Sequence, residues 1–297
     1  MASYAQDVKN ELARIFPDDM ECLRAELLAL LTVGTKKIDG RIEFASTNAA
    51  TVRKVIVLVK KFFPTIKPEV AAMRKKKLRK DLSYVVRIFL TDAVKNFLAE
   101  VDSPDFLKRT RYKVAYLRGA FLATGTVNRP EAQYFLDISS KNKATSAFIH
   151  ALIEKLEFRC GFYQRRNYFV VWIREADSIC DFLGMVGANN AVERFEIARN
   201  VKEVRKQVSC IVNLETAALN KAIDAAQRQI ADIKILLARK TRVTKKIRAA
   251  MDMRLENPSC TLAELAEKFS IGKAALGYRL RKIQKLAKRY KKNNREV

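Results

Sequence analysis

YLRGAFLATG at residues 116–125 and AELLALLTVG at residues 25–34 share one pattern. Each is an apolar helical run halted by a glycine, a residue suited to a left-handed helix end. The same succession follows both. After Gly34 come KKID and IEFAS around Asp39-Gly40, a hairpin-turn signal. After Gly125 come GTVNRPEA and QYFLDIS. A helix follows each pair, TVRKVIVLVKKFF in one copy and KATSAFIHALIEKL in the other. Two more strands come next, IKPEVAAM with LSYVVRI, and RCGFYQ with YFVVWI. A slide of 85 positions lays Val85-Val86 on Val170-Val171, Ile88 on Ile173, Asp92 on Asp177 and Phe97-Leu98 on Phe182-Leu183. A helix around residues 92–101, or 176–186, closes each copy. The unit reads α-β-β-α-β-β-α, twice.

Beyond the duplication, residues 190–237 are helical in pattern and rich in alanine, a bridge between domains. The end of the chain has its own character. Thr261-x-x-Glu264 is a capping box. Leu262, Leu265, Ala266 and Phe269 follow at i, i+3, i+4, i+7, then the short turn Ser270-Ile271-Gly272. A second helix places Leu276, Leu280, Ile283 and Ala287 on its buried face. Two short helices, a three-residue turn and a basic second helix describe a helix-turn-helix. The opposite face carries Ala274, Tyr278, Arg281 and Lys285, flanked by Lys273, Gly277, Arg279 and Lys282. Arg or Tyr there would meet base edges in a major groove, and Lys288 and Arg289 further along would meet phosphates. The bland alternative is a solvated basic helix in a structural bundle. The tail KRYKKNNREV reads as a loosely ordered phosphate-binding extension.

The charge supports a polyanionic partner. The chain of 297 residues carries 58 Lys and Arg against 32 Asp and Glu, a net charge of +26. Half of that excess lies in residues 239–297, with eighteen basic and five acidic side chains. Such a surface attracts nucleic acid first and an anionic membrane second. No apolar run approaches the ~20 residues of a membrane span, and the N-terminus lacks a signal pattern, so a cytoplasmic location is expected. The five cysteines are scattered and never spaced as CxxC, which argues against a disulfide scaffold or zinc site and for buried thiols. The single histidine, His150, sits on a helical run and reads as structural. Enzyme chemistry would therefore rest on carboxylates and Mg²⁺.

LRGAFLATG, residues 117–125, resembles the LAGLIDADG motif of homing endonucleases, with Gly119, Ala123 and Gly125 in register. ELLALLTVG, residues 26–34, is a degraded copy with Leu28 where the first glycine would stand. The resemblance implies two helices packed at a pseudo-twofold axis between saddle-shaped sheets. In active nucleases of that family the residue before the last glycine is acidic, and two such carboxylates hold Mg²⁺. Here those positions are Val33 and Thr124, so the metal site is lost and neither a catalytic residue nor a cofactor is expected. Asp39 and Asp137 remain as acids for a displaced site, though neither adjoins a helix end in sequence. Arg74, Lys75, Lys76, Lys77, Arg79 and Lys80 lie between two strands, with Arg165 and Arg166 in the matching place; these hairpin tips could grip phosphates or be solvated turns.

The combination is similar to the WhiA regulators of Gram-positive bacteria over nearly the whole chain. Supporting blocks are MRKKKLRKDLSYVVRI, YLRGAFLATGTVNRPEAQYFLDI, GANNAVERFE, VNLETAALNKAIDAAQRQI and YRLRKIQKLA, of which Asn213, Glu215, Thr216, Ala217, Asn220 and Lys221 form the most specific. The expected architecture is α+β: a duplicated LAGLIDADG-like domain over residues 1–200, a helical linker over 201–240 and an all-α helix-turn-helix with basic tail over 241–297. The resemblance implies a non-enzymatic protein that binds double-stranded DNA, a transcriptional regulator in cell division and chromosome segregation, and in sporulation among relatives. It implies a nucleoid-associated location and leaves other regulatory or cell-division proteins as further partners. Gly272 and Ala274 stand where the family carries serines, and Gly277-Tyr278 where an Asn-His pair is usual, so the resemblance carries over the family's binding mode but not its target sequence. The competing readings are a metal-dependent homing endonuclease or RNA maturase, and a membrane- or ribosome-associated basic protein.

Overall fold

The computed structural model describes residues 3–74, 82–102 and 107–293. The chain falls into two compact units, Met1–Lys202 and Glu203–Val297. The first contains α1 (Tyr4–Leu12), α2 (Met20–Val33), β1 (Thr35–Ile38), β2 (Arg41–Ser46), α3 (Ala49–Phe62), β3 (Glu69–Arg74), β4 (Leu82–Phe89) and α4 (Asp92–Ala99). Its second half repeats those after α1 as α5 (Thr110–Thr124), β5 (Thr126–Val127), β6 (Leu136–Ser140), α6 (Lys143–Glu154), β7 (Gly161–Arg165), β8 (Tyr168–Ile173) and α7 (Ala176–Val186). The two antiparallel sheets have the same strand order, β1-β2-β4-β3 and β5-β6-β8-β7. The duplication extends to register: Ile42 pairs with Ile88 in one sheet and Leu136 with Ile173 in the other. Asp39 and Gly40 both have positive φ, 46° and 70°, and close β1 onto β2 as the sequence signal requires. The fold is the expected α+β duplication, with one element the sequence reading left out, α1.

The glycines that end α2 and α5 are not left-handed, contrary to expectation. Gly34 has φ −99° and Gly125 has φ −60°. They are there for space. A Cβ on Gly34 would lie 2.8 Å from the Phe44 ring and 2.9 Å from Ala123 Cβ, and one on Gly125 would meet the Phe121 ring at 2.4 Å. Close approach also explains Gly119. A Cβ there would come within 2.3 Å of the Glu26 carbonyl oxygen, so α2 and α5 pack backbone to side at this point.

This helix pair buries charge. Glu26 of α2 and Lys54 of α3 are essentially inaccessible, and Arg118 of α5 is 9% exposed. Lys54 Nζ lies 2.5 Å from Glu26 Oε1, and Arg118 Nη1 lies 3.6 Å from Glu26 Oε2. Lys54 also donates to the carbonyls of Leu12 and Ile15 at 3.1 and 2.6 Å, and Arg118 Nε donates to Val186 O at 2.7 Å. Burial pushes the Glu26 carboxyl up and the Lys54 ammonium down, each opposed by the other's charge.

α1 packs its Tyr4, Val8 and Leu12 stripe against α3, α5 and β5. Its Glu11 carboxylate accepts from the backbone N–H groups of Asn190 and Ala191 at 2.8 and 3.1 Å, and Tyr4 Oη donates to Ala191 O at 2.6 Å. These bonds fasten α1 to the start of α8 (Asn189–Ala238) within the first unit. Lys9 is the odd residue in the stripe. Burial lowers its pKa from 10.5 to about 8, with Asp137 acting in the opposite sense. Between pH 8 and 10.5 the unfolded chain then holds the proton that folded Lys9 has shed, so stability rises with pH in that window. Below it, the buried charge costs on the order of 2–3 kcal/mol. Lys9→Met is therefore expected to stabilise the protein by ~2 kcal/mol at pH 7 and to flatten the rise above pH 8, as read by denaturant melts at both ends of the window.

Candidate nucleic-acid interface

In the second unit, α8 continues and is followed by α9 (Lys245–Glu256), α10 (Leu262–Lys268) and α11 (Lys273–Asn293). The capping box forms as read: Thr261 N–H donates to Glu264 Oε2 at 2.7 Å, and Glu264 N–H to Thr261 Oγ1 at 3.3 Å. The turn works because Ser270 takes φ 50° and Ile271 N–H reaches back to Ala266 O at 2.8 Å. Leu265 and Ala266 of α10 and Leu276, Leu280, Ile283 and Ala287 of α11 are buried in one core, joined by Ile233 and Leu236 of α8 and Ile247, Ala250 and Met251 of α9.

That core fixes which face of α11 looks outward. Lys273, Ala274, Tyr278, Arg281, Lys282, Lys285, Lys288 and Arg289 are exposed, Tyr278 by 60%. Arg279 and Gly277 are half-buried, and a Cβ on Gly277 would make ordinary contact with Leu262 at 3.6 Å. The result is a basic helical face carrying one aromatic ring, backed by an apolar core. Such a face can lie in a major groove.

Residues 288–293 of the tail depart from the loose extension expected, and residues 294–297 lie outside the described residues. α11 runs on to Asn293, and Lys291 pairs at 2.7 Å with Asp232 of α8, itself 4% exposed. A second support went unread in the sequence. Arg254 of α9 is 2% exposed and donates to Cys260 O at 2.6 Å, holding the entry to α10, while burial lowers its pKa. An arginine inside the apolar period of α9 was the available signal.

In the first unit, the positions that hold acids in active nucleases end the two packed helices. Val33 is 5% exposed and has no donor atom; Thr124 Oγ1 is buried without a hydrogen-bond partner. A hydrocarbon and a neutral hydroxyl do not fit a divalent cation. Of the two remaining acids, Asp39 sits in the β1–β2 turn. Asp137 comes nearer the helix end than sequence suggested, because it pairs across the ladder with Thr126, whose hydroxyl donates to it at 2.6 Å. Burial raises its pKa while Arg165 and Lys9 pull it down. Among the described residues no three acidic, histidine or cysteine side chains gather as a metal site.

Arg165 and Arg166 are exposed at the β7–β8 tip, where Arg166 takes φ 54°. Arg74 ends β3, and Lys75, Lys76, Lys77, Arg79 and Lys80 lie outside the described residues. His150 meets Glu154 Oε2 at 3.2 Å and the Phe162 ring, a helix-face role. Cys22 and Cys180 are buried as expected, but Cys160 and Cys260 are half-buried and Cys210 is exposed. Among the described residues no helix is long and apolar enough to cross a membrane.

Three family models match this chain: the WhiA N-terminal LAGLIDADG-like domain at residues 20–102, the WhiA LAGLIDADG-like domain at 113–205, and the WhiA C-terminal HTH domain at 208–287. Among curated relatives, proteins named "Probable cell division protein WhiA" from Desulforamulus reducens and Latilactobacillus sakei are 35% and 36% identical. The first match covers 97% of this chain and 96% of the relative; the second covers 98% of both. Among solved structures, full-length DUF199/WhiA from Thermatoga maritima matches with a TM-score of 0.60 at 21% identity, covering 97% of this chain and 99% of that one. The separate N-terminal LAGLIDADG domain of DUF199/WhiA matches at 0.55 and 19% identity, covering 63% of this chain and 91% of that one.

Proposed function

The chain belongs to the WhiA family, and from that premise we propose that it is a non-enzymatic protein that binds double-stranded DNA and regulates transcription in cell division and chromosome segregation. The observation that carries this reading is the outward face of α11, where Tyr278, Arg281, Lys282 and Lys285 stand exposed over the buried Leu276, Leu280 and Ile283. Lys273, Ala274, Gly277 and Arg279 border that face, and Lys288 and Arg289 extend it toward the phosphate backbone. In this reading residues 1–200 form a LAGLIDADG-like scaffold, 201–240 a helical linker and 241–297 the DNA-reading domain. Arg165 and Arg166 add phosphate contacts at the β7–β8 tip. The protein works in the cytoplasm on the nucleoid, with regulatory or cell-division proteins as further partners. The absence of hydrolysis follows from Val33 and Thr124, which cannot replace two carboxylates at a hard cation.

The test is genome-wide mapping of bound DNA with an Arg281→Glu, Lys282→Glu variant as control. Discrete promoter peaks that vanish in the variant are expected, with duplex affinity reduced ~100-fold or more in vitro and an unchanged melting temperature. Diffuse occupancy replaces regulation with chromosome organisation, and Mg²⁺-dependent nicking overturns the non-enzymatic reading. Salt titration separates the roles along α11. Lys288→Ala and Arg289→Ala are each expected to flatten the slope of log affinity against log salt by about 0.9, uniformly across DNA sequences.

A further inference from the structure

The duplication makes the two halves of the first unit a matched pair, so a difference between equivalent places is informative. Asn48 and Asn142 are the equivalent N-caps of α3 and α6. Around Asn48 the groove is filled by α1. Asn48 is 3% exposed, Thr51 and Lys54 are essentially inaccessible, and Asn48 Nδ2 donates to Gln6 Oε1 at 2.8 Å and Asn10 Oδ1 at 2.9 Å. Lys54 closes the end of α1 through the carbonyls of Leu12 and Ile15.

At the equivalent place in the other half there is a cavity of about 640 Å³. Its walls come from α2, β1, α4, α5 and the first turns of α6. Residues 142, 145 and 148 there correspond to 48, 51 and 54, one after another. Asn142 is exposed, and Thr145 and Phe148 are half-buried. Leu31 and Leu98, which correspond to Leu122 and Leu183 in the duplication, line it. Asn142 Oδ1 caps Ala144 N–H at 2.9 Å, and its Nδ2 has no partner among the described residues.

We propose that this cavity is a docking groove for a short amphipathic helix of a partner protein, seated as α1 is seated in the other half. The groove states the chemistry of its occupant. Apolar side chains at i, i+4 and i+8 replace Tyr4, Val8 and Leu12. A side-chain oxygen takes up Asn142 Nδ2, as Gln6 and Asn10 do for Asn48. Lys37 lines the empty groove at the ladder position that the buried Val127 holds in the filled half, which selects an acidic helix. Phe148 in place of Lys54 removes the cation that holds the α1 end and offers an aromatic surface instead. The α1 of a second copy is not the occupant, because in each copy it is tied down by Tyr4, Glu11 and Lys54.

The probe is a labelled synthetic peptide of residues 3–16 carrying Lys9→Glu, which keeps the apolar stripe, Gln6 and Asn10 and adds acidity. With the full chain it is expected to bind saturably at one site, and a photoreactive p-benzoylphenylalanine at position 145 is expected to crosslink to it. Ala144→Arg with Lys37→Glu is expected to weaken binding at least tenfold at an unchanged melting temperature. The same position-145 crosslinker in cells is expected to capture an acidic amphipathic segment of one other protein. Absence of saturable binding, equal binding of a scrambled peptide of the same composition, equal binding to the blocked variant, or capture of only this chain's own copies each overturns the proposal.

Discussion

Glu26→Ala is expected to destabilise the first unit by about 3–5 kcal/mol, which is among the largest effects available to a single side chain in this protein. The carboxylate sits where α2, α3 and α5 meet, and both of its partners are cations out of solvent. Lys54 loses the charge that opposes its desolvation, though it keeps two backbone carbonyls. Arg118 keeps the carbonyl of Val186 and loses its only nearby counter-charge among the described ion pairs. Removing one member of such a group leaves uncompensated buried charge; removing both charges of a pair together often does not. Glu26→Met with Lys54→Met is therefore expected to recover much of the loss. Urea melts of the two single variants and the double variant measure the coupling. A double variant as unstable as the sum of the singles would mean that the ions do not act as a group.

Gly119→Leu is expected to cost at least ~3 kcal/mol, at or beyond the upper end of ordinary overpacking. The obstruction is the Glu26 carbonyl, 2.3 Å from the first added carbon, with Ala29 Cβ at 2.9 Å. A backbone oxygen inside a helix cannot swing aside as a side-chain tip can. Relief requires α2 and α5 to separate, which opens the core formed by Leu27, Leu28, Leu30, Tyr116, Ala120 and Phe121. Against a domain stability of ~5–15 kcal/mol, that change brings unfolding near working temperature. Gly119→Ala meets the same oxygen and is expected to fall in the same direction with a smaller loss. A melting temperature unchanged in both variants would show that the helices do not meet at this point.

The paired helices and the helix-turn-helix were legible because both advertise themselves by period. Residues 25–34 and 116–125 alternate too little to be surface helices, and Leu276, Leu280, Ile283 and Ala287 leave a clear basic face behind them. The closing glycines were legible as landmarks and misread in cause, since a sequence cannot distinguish a residue chosen for positive φ from one chosen for lack of a side chain. Glu26, Lys54 and Arg118 interrupt apolar runs, and only the assembled helices show them as one cluster. α1 carried a readable stripe in Tyr4, Val8 and Leu12, but its polar Gln6 and Asn10 gain meaning only beside Asn48. On α11, the outward direction of Tyr278, Arg281 and Lys285 followed from the buried set. The continuation to Asn293 did not, because the Lys291–Asp232 pair links residues 59 apart in sequence.

The fastening of α1 to Ala191 has a temporal side. The two partners of the Tyr4 Oη bond are 187 residues apart, and Glu11 and Asn190 are 179 apart. A ribosome emits α1 well before the residues that anchor it. At ~5–20 residues per second, roughly ten seconds or more separate Tyr4 from Ala191. During that interval α1 has only α3, α5 and β5 to lean on as they emerge, and its polar groups Tyr4 and Glu11 lack their final partners. Closure of the scaffold is thus timed to the end of its own synthesis.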